Sequence, residues 1–152
     1  MLRFLPLVTL VLFGSWLSKV DLKTHRLPNP IVGWFTFTQL LVLLISSQGL
    51  TSPKRLADVL IIAGLNTLVY VILFAISRGS LGMGDVKFAF PLGLCVGWYA
   101  PELWLAAIFG TFVTAGLIAS LGMITKRMNR NSKLALGPYM FVSTLIICVL
   151  GM

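Results

Sequence analysis

An all-α, polytopic bundle of six membrane-spanning helices is the fold the sequence predicts, and three observations predict it. Hydrophobic residues make up 58% of the chain and charged residues only 11%, with a mean hydropathy of +0.98, whereas a soluble domain carries roughly a quarter charged residues. The apolar stretches are long and solid rather than short and alternating, which disfavours a barrel and favours helices that satisfy their own backbone groups in lipid. Six such stretches follow one another, most of them near the roughly 20 residues that cross a hydrocarbon core of about 30 Å. At 152 residues the chain is expected to be a single integral-membrane domain, 1–152, packed helix against helix.

The first span is placed at Phe4 to Val20. It lacks a small-residue cleavage pattern and runs into charged sequence, so it is expected to be a retained helix. Pro28 and Pro30 then stop helix continuation and set the entry into the second span, Ile31 to Ser47. The third runs from Leu56 to Ile76. The fourth, from Leu81 or Val86 to Tyr99, is short and contains Pro91. The fifth and sixth run from Leu103 to Ile124 and from Leu134 to Leu150. Trp16, Trp34, Trp98 and Trp104 fall towards span ends and are expected to be interfacial anchors, while Asn66, Thr111 and Thr114 fall inside spans as interhelical polar contacts.

The net charge of +8 does not point to nucleic acid, because the basic residues are scattered between apolar runs; membrane topology explains that pattern better. With six crossings, the first, third and fifth connections share one face and hold Lys19, Lys23, Arg26, Arg78, Lys87, Lys126, Arg127, Arg130 and Lys133. The other face holds Arg3, Lys54 and Arg55. Nine against three places the first face in the cytoplasm and both termini outside it. Cys95 and Cys148 lie in apolar runs without CxxC spacing, and with one histidine, His25, they supply neither a disulfide framework nor a metal centre. No cofactor is expected.

Parity also sorts the four acids. Asp21, just after the first span, and Asp85, at the entry to the fourth, share the cytoplasmic face, while Asp58 and Glu102 begin spans on the other, where an acid in a first helical turn is favoured by the macrodipole. Two carboxylates on separate helices are the minimum equipment for aspartyl hydrolysis, one taking a proton from water and the other, protonated, donating to the scissile carbonyl. Glycines at 82 and 84, around Met83, permit a sharp bend and close approach of a substrate strand. The plainer alternative makes Asp21 and Asp85 interfacial charges paired with Lys19 or Lys23 and with Lys87. A third possibility is a small transporter or assembly component whose acids bind a proton or ion.

Asp21-Leu22-Lys23-Thr24-His25-Arg26-Leu27-Pro28-Asn29 resembles the first motif of the type IV prepilin peptidase family, and Gly82-Met83-Gly84-Asp85-Val86-Lys87 resembles its GxGD signature. Leu136-Gly137-Pro138-Tyr139 resembles the family's Gly-Pro segment before the last span. The resemblance implies an inner-membrane aspartic endopeptidase that removes the basic leader of type IV pilin or pilin-like precursors at the cytoplasmic face, with Asp21 and Asp85 as the catalytic pair. Gly82, Met83, Gly84, Lys87, Pro28, Gly137 and Pro138 would then support the site or contact substrate. Larger relatives carry a CxxC-bearing insertion and also N-methylate the product; this chain has neither the insertion nor its cysteines, so the resemblance implies peptidase activity without methylation, similar to the small enzymes of tight-adherence (Flp) pilus systems. A presenilin-like protease shares the GxGD aspartate, but the Asp21 to Asn29 motif argues against it. Because the face and the leader are both basic, anionic lipid headgroups and lateral entry of the substrate's apolar helix are expected to bring them together.

Overall fold

The computed structural model describes residues 4–47, 53–77, 81–125 and 134–152, and every regular element among them is helical. The order is α1 (Leu5–Thr24), α2 (Asn29–Ser47), α3 (Pro53–Ile76), α4 (Met83–Tyr99), a short 3-10 turn (Pro101–Leu103), α5 (Trp104–Ile124) and α6 (Gly137–Leu150). Four helical stretches, Leu5–Thr24, Asn29–Ser47, Lys54–Ile76 and Pro101–Ile124, are long and apolar enough to cross a membrane. At 1.5 Å per residue, α4 rises about 25 Å and α6 about 21 Å, short of a hydrocarbon core of about 30 Å.

The shortness of α4 has a packing reason. It touches all five other helices, and every residue from Pro91 to Ala100 is buried. A helix wrapped by protein on all sides reads as apolar all round and needs no lipid-facing stripe. Pro91 is accommodated within it, and nearby Asn66 of α3 donates from Nδ2 to the carbonyl of Ala89 at 2.7 Å. Below the start of α4, Phe13 of α1 stacks on Phe35 of α2 with centroids 5.3 Å apart, and Phe35 meets Phe88 of α4 at 6.1 Å. This aromatic chain ties together the three helices that carry the residues of interest.

Several boundaries differ from those the hydropathy pattern predicts. The first helix continues past Val20 to Thr24, so Asp21 lies within it rather than after it. The second begins at Asn29, which puts Pro30 in its first turn, where a missing N–H is harmless. The third begins at Pro53, leaving Asp58 in its second turn. Trp98 is not an interfacial anchor: it is 3% exposed, with the Arg55 guanidinium 5.0 Å over its ring and Arg55 Nη2 3.2 Å from its carbonyl. Thr111 and Thr114 donate to carbonyls of their own helix, at 2.9 and 2.7 Å, and Thr111 also hydrogen-bonds the Tyr70 hydroxyl of α3, an interhelical polar contact. Of the residues that set the orientation, Arg3, Arg78, Lys126, Arg127, Arg130 and Lys133 lie outside the described residues.

Candidate active site

Asp21 and Asp85 line one cleft of about 280 Å³ at one end of the bundle, together with His25, Arg26, Leu27, Asn29, Gly82, Met83, Gly84 and Lys87. Arg55, on Trp98 near the far end of α4, marks the opposite end. The two acids reach the cleft by different routes. Asp21 is on the last turn of α1, 4% exposed. Its carbonyl accepts the His25 N–H at 2.8 Å, and His25 adopts the left-handed conformation, φ 49°, that ends the helix. The chain then turns through Leu27 and Pro28 back across the cleft, and the Pro28 carbonyl accepts the N–H groups of Ile31 and Val32 as α2 begins.

Asp85 occupies the first turn of α4, ahead of the apolar run from Val86 to Tyr99. Its Oδ2 accepts the Gly82 N–H at 3.2 Å, and its own N–H donates to the Gly82 carbonyl at 3.1 Å. Burial pushes its carboxyl up to about 6, the negative charge of Asp21 adds to the rise, and the Gly82 hydrogen bond partly offsets both.

Two glycines have specific steric reasons to be glycine. A Cβ on Gly84 would sit 2.9 Å from Leu27 Cβ and 3.4 Å from the Leu27 nitrogen, so the absence of a side chain lets the start of α4 close onto the segment after Asp21. Gly137 opens α6, and its N–H donates to Asp21 Oδ2 at 2.9 Å. Burial works against an anion at Asp21, and this directed backbone donor at the positive end of the helix offsets part of that cost.

The remaining candidates are placed as follows. Gly82, Met83 and Lys87 line the cleft, and Met83 is 54% exposed. Lys87 Nζ donates to Asn29 Oδ1 at 3.1 Å, bridging α4 and α2. Gly137 lies behind Asp21 and Pro138 is the second residue of α6; neither they nor Pro28 line the cleft. Sequence reasoning left out Asn29 and Leu27 as site residues, although both stand in the stretch that resembles the first family motif. Among the described residues no three His, Cys, Asp or Glu side chains gather as a metal site.

One buried and one half-buried carboxylate in the same cleft, the first accepting a backbone N–H from a helix terminus and the second raised to about 6, can share a proton, activate water and polarise a carbonyl. The family model described as "Type IV leader peptidase family" matches residues 8–125, from α1 through α5, and so spans both acids. No curated protein and no solved structure matches the chain.

Proposed function

Because the chain belongs to the type IV leader peptidase family, we propose that it is an aspartic endopeptidase that cuts the basic leader from type IV pilin or pilin-like precursors. The observation that carries this is the shared cleft: Asp21 and Asp85, on separate helices, line it together. Asp21, with the Gly137 N–H on its Oδ2, is the base. It takes a proton from a water molecule as the oxygen attacks the scissile carbonyl. Asp85 holds the proton of the pair and donates it to the carbonyl oxygen. As the tetrahedral intermediate collapses the C–N bond breaks, Asp21 gives its proton to the leaving amine and Asp85 takes one back from a hydroxyl of the gem-diol, which restores the pair. Lys87 and Asn29, bonded across the cleft mouth, are placed to hold the substrate backbone.

In this proposal all six helices of the single domain traverse the bilayer, α4 within the bundle and the short α6 beside α1, α4 and α5. The cleft faces the cytoplasm and both termini lie outside it. In this proposal the product is not methylated, because the chain has no CxxC motif of the kind that accompanies methylation in the larger relatives it resembles. A transporter needs free polar groups along the core. Here Gln39, fully buried, is engaged by Thr9, Cys95 and the Pro6 carbonyl, and Asn66 by the Ala89 carbonyl; among the described residues the buried side-chain polar atoms without a hydrogen-bond partner are Ser18 Oγ and Trp98 Nε1, too few to line a path.

The test is incubation of the purified protein with a pilin precursor, with mass determination of the products. A precursor shortened at one bond and carrying no added methyl group is expected. An uncut precursor refutes the peptidase assignment, and a methylated product refutes the peptidase-only form.

A further inference from the structure

The α2 helix starts in the cleft, since Asn29 lines it and accepts the Lys87 ammonium. One residue further, the outward face of the same helix opens into an apolar groove of about 380 Å³ lined by Pro30, Gly33, Trp34 and Phe37. These positions stand at i, i+3, i+4 and i+7, a single helical face. They descend about 12 Å along the helix axis from the cleft.

The groove is shaped rather than merely greasy. Trp34 and Phe37 are 65% and 55% exposed and meet edge to face, centroids 6.1 Å apart at 83°, forming one wall. Beside them, a Gly33 Cβ would meet nothing within 4 Å beyond its chain neighbours and its own helix backbone. A glycine notch flanked by large side chains is what lets a second helix bring its backbone close inside lipid, where van der Waals fit replaces the hydrophobic drive. A comparable groove on α1, about 210 Å³ and lined by Leu7, Val8, Val11 and Leu12, lies on the half of that helix remote from Asp21 and leads to no polar site.

We propose that the Pro30–Gly33–Trp34–Phe37 groove seats the apolar helix of the substrate that follows the scissile bond, so that the bond emerges at Asn29, between Lys87 and the two acids. The inference rests on the peptidase reading and adds where and how the substrate is held. Continuity selects this occupant: a membrane helix lying along α2 has its end delivered into the cleft from the lipid side. The cationic rim of Arg26 and Lys87 then does not have to attract a basic leader through water.

The test uses the full chain, reconstituted in vesicles with a type IV pilin precursor. A photo-cross-linking residue is placed at Phe37 or, as control, at Leu12, in the Asp21→Asn background so that bound precursor is not turned over. Capture of the apolar segment of the precursor at Phe37 and not at Leu12 is expected. In the active chain, Gly33→Leu, which fills the notch, should raise KM for the precursor about tenfold with kcat within about twofold, and Gly116→Leu, on an equally open glycine of α5, should change neither. If the wild type cuts the precursor while capture is equal at both positions, or Gly33→Leu leaves KM unchanged, the groove assignment falls and the peptidase reading stands. If the wild type does not cut, both fall.

Discussion

Alanine in place of Gly137 separates the geometry of Asp21 from the stability of the fold. The added Cβ would lie 2.8 Å from Asp21 Oδ2 and 3.3 Å from its Cγ, where ordinary contact begins at 3.4 Å. The carboxylate must therefore retreat by about 0.6 Å. The atom that has to yield is the end of a side chain, so Asp21 turns while α1 and α6 stay in place. What is lost is the 2.9 Å hydrogen bond from Gly137, a charge-assisted contact worth about 1.5–3 kcal/mol. A base displaced on this scale costs on the order of 10²-fold in rate. Cleavage of a pilin precursor by reconstituted protein is the assay, with thermal unfolding measured alongside. The expected result is a kcat lower by about two orders of magnitude, with KM changed less than about threefold and the folded state retained. A kcat within about threefold of wild type would refute the positioning role of the α6 terminus, as would a loss matched by general unfolding.

Further outcomes follow from the same groups. Since Asp85 must be protonated to act as the acid and titrates at about 6, kcat/KM should fall as pH rises through that value, with an apparent pKa that belongs to the pair; a flat profile across this range contradicts the assignment. The same rise from an ordinary 3.8 to about 6 means the folded state binds this proton more tightly than the unfolded chain. That stabilisation is complete below the ordinary value and is lost as pH rises through about 6, on the order of 2–3 kcal/mol. Asp85→Asn, which keeps an acceptor for Gly82, should flatten the loss in unfolding scans at about pH 4 and about pH 8; an equal decline in variant and wild type removes Asp85 as its source. A reporter fused at the C-terminus should be active only outside the cytoplasm, and cytoplasmic activity contradicts the proposed orientation.

Much of the architecture is legible in hydropathy because lipid demands long apolar helices. The same pattern cannot tell a helix coated by lipid from one coated by protein, so α4 reads as a short, awkward span when it is the element the others enclose. Parity alone places Asp21 and Asp85 at a common end, and they line a common cleft there. The contact between Gly137 and Asp21 spans 116 residues and leaves no periodic trace; only the resemblance to a Gly-Pro segment drew attention to that position. Leu27 against Gly84 and Lys87 on Asn29 are equally nonlocal. Trp98 shows the converse: an aromatic near a span end reads as an anchor, and the buried position beneath Arg55 is visible only once α3 and α4 are packed together.

A double-mutant cycle asks most directly whether two carboxylates act as one catalytic unit. Cleavage rates are measured for wild type, Asp21→Asn, Asp85→Asn and the double variant, all confirmed as folded and membrane-inserted. Groups that share one proton and one water fail together, so each single variant should fall to the same background as the double. Substantial cleavage by either single variant, or a double variant that loses the product of the two separate losses, would mean that the acids do not work as a pair.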